Sequence, residues 1–235
     1  MINIIEVIKR SISLYFKNFF SIFLVIVWLL IIEIVFLFLP GVKTSPLVDI
    51  FIKSAILAFL FLLGTWTDQL LTIILFGCYK NQKVKIREGM MISLRQLPAY
   101  VFVTILWIII IGIGFLLLVV PGLIFMTWYL FMSPVFVVEG KRGWQVFRRS
   151  HELSHNLGLK IFSRFFVPSL FFFLIFLVLY QLATVFLSPL LKTNLLYLVL
   201  SIISVILIRL SLPLFSGVIV ILYDEVKKLK EQNET

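Results

Sequence analysis

Six long apolar runs with few charges, at residues 19–39, 50–78, 100–120, 122–138, 161–187 and 194–223, constrain this chain more than any other feature. A bilayer core about 30 Å thick takes roughly 20 apolar residues to cross as a helix. Backbone polar groups in hydrocarbon must bond inside the segment, so runs of this kind become helices. Only 14% of the 235 residues are charged and 62% are apolar, where soluble domains carry ~25% charged residues. The expected fold is therefore all-α: a polytopic membrane protein with six transmembrane helices. Pro121-Gly122 alone separates the third and fourth runs, a turn signal that predicts a tight helical hairpin. The second, fifth and sixth runs exceed a perpendicular crossing and imply tilt or projection. The first ends in Leu39-Pro40-Gly41 with no small-residue cleavage pattern, so it reads as a retained helix and not as a signal peptide.

The basic residues supply the orientation. Cytoplasmic loops retain an excess of Lys and Arg, and 17 of the 21 lie before the first run, between the second and third, between the fourth and fifth (running into the fifth at Arg164), or after the sixth. Lys43, Lys53 and Lys192 fall on the other side, and Arg209 lies within a run. Both termini are therefore expected in the cytoplasm. The formal net charge of +10 would suggest nucleic acid in a soluble protein. Too little polar surface remains for that here, and anionic inner-leaflet lipid is the expected counter-charge. The single cysteine, Cys78, excludes an intramolecular disulfide and a CxxC zinc knuckle.

Amphipathic stretches precede the first, third and fifth runs. Asn3, Glu6, Lys9, Arg10, Ser13 and Lys17 share one polar arc opposite Ile4, Ile5, Ile8, Ile12, Tyr15, Phe16 and Phe19, the pattern of a helix lying on the membrane surface. Ile86, Met90, Leu94 and Leu97 form a second apolar stripe, and Val146, Ser150, Leu153, Leu157 and Ile161 a third. Three cytoplasmic interfacial helices are expected, each followed by an outward and an inward span. The chain then reads as a single membrane domain over 1–235, with helix-plus-hairpin units at 1–79, 80–139 and 140–225 and a cytoplasmic tail at 226–235. Units running in one direction would be parallel repeats about an axis near the membrane normal.

Between the fourth and fifth runs the pattern becomes specific. Pro121-Gly122-Leu123, Pro134, Glu139, Arg148-Arg149-Ser150, Leu153 and Gly158 resemble the membrane-domain family fused to some bacterial glycerophosphodiester phosphodiesterases and the related YciC-like inner-membrane proteins. That family has a Pro-Gly turn, a span ending in a proline and an acidic residue, then an Ala-Leu-x-x-Ser-x-x-Leu helix. Here Val146 stands in place of the alanine, and Thr127, Trp128 and Tyr129 stand where the family carries a basic residue. Fused members keep their hydrolase on a separate soluble domain, for which 235 residues of mostly spans leave no room. The resemblance implies a multi-pass module of the bacterial cytoplasmic (inner) membrane without phosphodiesterase activity. Such a module is expected to be non-enzymatic and free of cofactors, supporting membrane or envelope homeostasis through contacts with lipids or another membrane protein.

Two residue sets could carry chemistry. His151-Glu152-Leu153-Ser154-His155 contains both histidines of the chain in a literal H-E-x-x-H, the pattern of a zinc membrane metalloprotease in which His151 and His155 would hold zinc and Glu152 would act as general base. A third ligand would have to be Glu139, Asp224 or Glu225. Arg148 falls between His155 and Glu152 on the helical wheel, and permanent positive charge beside a dication opposes binding. The alternative is an Arg148–Glu152 ion pair at i,i+4 on a solvated face. The second set comprises the intramembrane groups Glu33, Asp68 and Arg209, costly in lipid unless paired or hydrated. At ~1.5 Å per residue from the outer ends of the runs, Glu33 lies about 9 Å deep, Arg209 about 22 Å and Asp68 about 27 Å. Arg209 is therefore expected to pair with Asp68, as a structural clamp or as part of a path for a small solute or lipid.

The orientation predicts that single cysteines placed at Lys43 or Lys85, in a Cys78→Ser background, react with an impermeant maleimide from opposite faces of oriented vesicles. Labelling of both from one face would overturn it.

Overall fold

The computed structural model describes residues 3–38, 46–82, 85–189 and 193–234. These form nine helices and no strand: α1 (Ile4–Lys17), α2 (Phe19–Phe38), α3 (Pro46–Tyr79), α4 (Ile86–Leu117), α5 (Val119–Trp128), α6 (Met132–Val138), α7 (Trp144–Ser154), α8 (Gly158–Leu187) and α9 (Thr193–Glu234). Segments Ile50–Tyr79, Ile86–Leu117, Val119–Val138, Gly158–Leu187 and Leu195–Gln232 are each long and apolar enough to cross a membrane, and the α1–α2 pair, bent by 77°, makes a sixth. The chain is an all-α, polytopic membrane protein. Leu39-Pro40-Gly41, Lys43, Lys83 and Lys192, used above for the first turn and the orientation, lie outside the described residues.

The buried core gathers at the end of the bundle that carries most of the basic residues. It joins Val7 and Leu14 of α1, Leu71 and Ile74 of α3, Tyr100 of α4, Phe131 and Phe136 around α6, Phe147 and Leu153 of α7, and Val218 to Val226 of α9. Toward the other end the side chains turn outward, among them Leu57, Ile108, Leu116, Phe173, Val185 and Tyr197. Apolar groups gain nothing by leaving lipid for one another, so close packing concentrates where amphipathic and polar segments meet.

The three amphipathic stretches take three different forms. α1 is a separate helix whose polar arc is largely exposed at Lys9, Arg10, Ser13 and Lys17. Its opposite face is divided: Val7, Ser11 and Leu14 are buried while Ile5 and Phe16 are exposed, and it packs on α8 and α9. The second stretch is no separate helix, because α4 runs unbroken from Ile86. Its face toward the protein is not the full apolar stripe: Ile86 and Met90 are partly buried, Leu94 is exposed, and Gly89, Ser93 and Tyr100 point inward. Small residues let α3 approach closely, and polar ones give it hydrogen-bond partners. The third stripe is divided between two helices. α7 ends at Ser154, Asn156 takes a left-handed φ of 66°, and Ile161 belongs to α8.

The hairpin forms, with its corner three residues earlier than expected. Leu118 is extended (φ −169°, ψ 158°) and α5 begins at Val119. Pro121 therefore occupies the first turn of α5, where its missing N–H goes unused. Gly122 serves close approach instead of the turn: a Cβ there would come within 2.6 Å of the Phe115 ring, and one at Gly114 within 3.0 Å of the Gly122 Cα. The fourth span is itself broken, since residues 129–131 leave helical geometry between α5 and α6. Pro134 follows in the first turn of α6, whereas α8 and α9 continue through Pro168 and Pro213.

Gly114→Ala should destabilise the purified protein by about 1–3 kcal/mol through overpacking against backbone. Gly112→Ala, in the same helix with nothing within 4 Å of the added carbon, should be neutral or slightly stabilising. Thermal unfolding in detergent compares the two; equal effects would deny the close α4–α5 crossing.

Candidate functional site

The polar stretch of α3 from Gly64 to Thr72 is held against α4 by side chains. Thr65, Thr67 and Thr72 donate to the carbonyls of Phe61, Leu63 and Asp68, four residues back, at 2.7, 2.9 and 3.0 Å. Trp66 Nε1 donates to Ser93 Oγ at 2.8 Å, and Gln69 Nε2 to Gln96 Oε1 at 3.4 Å. Asp68 is then left facing α4 and α6. Its Oδ2 accepts from the Tyr100 hydroxyl and, at 3.4 Å, from Ser133. Tyr100 Oη and Thr72 Oγ1 each lie 2.8 Å from Ser133 Oγ. Tyr100 is fully buried and meets Phe136 edge-on at 4.9 Å. The break at residues 129–131 brings Ser133 here, because a continuous fourth helix would carry it on a different azimuth.

Beside this cluster lies a cavity of about 440 Å³, walled by Phe61, Gly64, Trp107, Tyr129 and Phe165 among others. Asp68 is the one formally charged residue in its lining.

Arg209 does not reach Asp68. Its Nε donates to Glu33 Oε2 at 2.8 Å and its Nη2 engages Glu33 Oε1, a two-pronged pair joining α2 to α9. The depth count failed because it started every helix at a common outer plane. Lateral adjacency decides which charges meet, and α2 lies against α9. The planar guanidinium suits this fork geometry.

The H-E-x-x-H segment does different work. His155 sits just beyond α7 with a non-helical ψ of 136°, and His151 stands edge-on to Trp128 at 4.7 Å. Glu152 accepts from Arg148 Nε at 3.1 Å and pairs with Arg149 at 3.6 Å. The carboxylates that would have to complete a zinc site are engaged. Glu139 accepts from Arg149 at 3.0 Å and from Tyr223 at 2.9 Å, and Asp224 pairs with Lys80 at 2.5 Å and Lys228 at 2.7 Å. Among the described residues, Glu225 included, no three His, Cys, Asp or Glu converge. Burial depresses the Arg149 pKa, but Glu139 and Glu152 outweigh it and hold the guanidinium above the ordinary arginine value. A fixed cation therefore sits where a zinc ion would have to be tolerated, and these residues do not fit the metal.

The sequence pattern around that segment is accounted for by the broken span. Ser150 Oγ donates to the Trp128 carbonyl at 2.8 Å, and Ser154 Oγ reaches the Thr127 and Trp128 carbonyls at 3.2 and 3.3 Å. Both oxygens lie at the end of α5, where helical partners run out. Leu153, between them on the same face, is fully buried. Glu139, at the end of α6, ties that helix to α7 and α9. Tyr100, Ser133 and Thr72 were not foreseen as partners of Asp68. The series Gly89, Ser93, Gln96 and Tyr100, spaced by three and four, carries the signal that could have found the α4 face. No family model, curated protein or solved structure matches the chain in comparisons with known proteins.

Replacing Arg209 alone with leucine strands the Glu33 carboxylate and should cost about 3–5 kcal/mol. The Glu33→Leu/Arg209→Leu double variant should recover most of that loss in a double-mutant cycle of unfolding in detergent. Strict additivity would show that the pair does not couple.

Proposed function

We propose that this chain is a non-enzymatic, multi-pass protein of the bacterial inner membrane that holds anionic lipid at its cytoplasmic end and so supports membrane or envelope integrity. The observation that carries this reading is a groove of about 300 Å³ formed by Lys141, Gln145, Arg148, Arg149 and Glu152, with three cations to one carboxylate. Gly140 and Gly143, both at positive φ (67° and 54°), turn the chain between α6 and α7, where Lys141 lies. Arg148 is 77% exposed, and its neighbour Trp144 is 64% exposed, an amphipathic ring suited to the headgroup level. Lys9, Arg10 and Lys17 of α1 are exposed as well, with Phe16 and Phe20 exposed beside them. Each basic residue near an anionic leaflet contributes ~1 kcal/mol of attraction. The resemblance to inner-membrane modules fits the same role, with both termini in the cytoplasm, and another membrane protein is a further partner that the outward-facing apolar surfaces could accept. The metalloprotease reading draws no support from Glu152, whose carboxylate is spent on Arg148 and Arg149.

In nanodiscs containing equal phosphatidylglycerol and phosphatidylcholine, native mass spectrometry should find phosphatidylglycerol preferentially retained by the protein. The Lys141→Gln/Arg148→Gln variant should lose most of that preference, whereas retention in proportion to the bulk mixture would overturn the proposal.

A further inference from the structure

We propose that the cavity beside Asp68 is a binding site for a hydrophobic organic cation. The two intramembrane acids are treated differently. Glu33 has its counter-charge in Arg209. Asp68 has no ion pair among the described residues, and Arg209, the expected partner, is spent on Glu33. An intramembrane carboxylate needs a partner or water, and here both hydrogen bonds reach the same oxygen: Tyr100 and Ser133 take Oδ2, while no described residue bonds Oδ1. The carboxylate is thus fixed in direction by one oxygen and available through the other, on the wall of the cavity.

The remaining lining selects the class of ligand. No Lys, Arg or His lines the cavity, and Phe61, Trp107, Tyr129 and Phe165 supply aromatic surface. Aromatic faces attract cations, more so away from water, and a volume of about 440 Å³ suits a small organic molecule. An apolar amine or quaternary cation satisfies the walls and the carboxylate together. A neutral solute leaves the charge unmet, and an anion is opposed by it. Gly64 offers a way to close the space without touching the acid, because it lines the cavity and a Cβ there meets nothing within 4 Å. The site is separate from the basic groove at the cytoplasmic end, so either proposal can fail alone.

The test uses the full chain in zwitterionic nanodiscs, with tetraphenylphosphonium as probe and neutral triphenylphosphine oxide as control. Saturable one-to-one binding of the cation is expected, with the neutral control weaker by about tenfold or more, a difference within reach of one desolvated charge contact. Asp68→Asn and Gly64→Leu should each weaken tetraphenylphosphonium by a similar factor, while Lys141→Gln/Arg148→Gln should leave it unchanged. Should Asp68→Asn fail to fold, Gly64→Leu decides: unaltered binding there places the cation elsewhere and overturns the site. Equal binding of the neutral control, or partition without saturation, also overturns it.

Discussion

Within hydrocarbon a backbone carbonyl that loses its helical partner must find another inside the protein, and the break between α5 and α6 makes that demand at Trp128, while Thr127 keeps the Leu130 N–H at 3.4 Å. Ser150 and Ser154 of α7 meet it. Much of the basic end of the bundle follows from this exchange. α7 is pinned against the broken span with Leu153 sealed beneath it, which brings Arg149 to Glu139 and, through Glu139, engages Tyr223 of α9. The same break turns Ser133 toward Asp68. One irregularity in one span therefore organises both the charged cluster at the membrane face and the polar cluster within the bundle.

Charge is distributed by depth according to what can neutralise it. At the basic end acids and bases are interleaved, so Asp224 serves both Lys80 and Lys228 while Glu139 serves Arg149 and Lys227. Ion pairs there are partly exposed and contribute modestly to stability. Deeper in the bundle Glu33 and Arg209 neutralise each other. Asp68 instead relies on hydroxyl donors, which stabilise a carboxylate without cancelling its charge. A residual charge on a cavity wall is a recognition element, whereas a cancelled one is a clamp.

Much of the fold was legible in the residues. Run lengths predicted the crossings, Pro121-Gly122 predicted a hairpin, and the arc from Asn3 to Lys17 predicted α1. What went astray has physical causes. Pro121 could enter the first turn of a helix, so the corner moved back to Leu118. The stretch at 86–97 met no breaker other than Pro98, which α4 accommodates, so it continued as one helix. The bonding role of Ser150 and Ser154 was not legible, because it depends on carbonyls more than twenty residues away.

By itself the sequence determined that this chain lives in a membrane as helices, because apolar length and one-sided basic charge are local, additive properties. Of the candidate site it marked Asp68, as an ionisable group inside a span, but not Tyr100, Ser133 or Thr72. Which acid met which partner was decided only by tertiary structure. Rise per residue gives position along one helix, while pairing depends on which helices are neighbours and how they are offset, information carried by packing across the whole bundle. Arg209 went to Glu33, and Asp68 was left with hydroxyls and an open cavity, because α9 lies against α2 while the broken fourth span lies against α3.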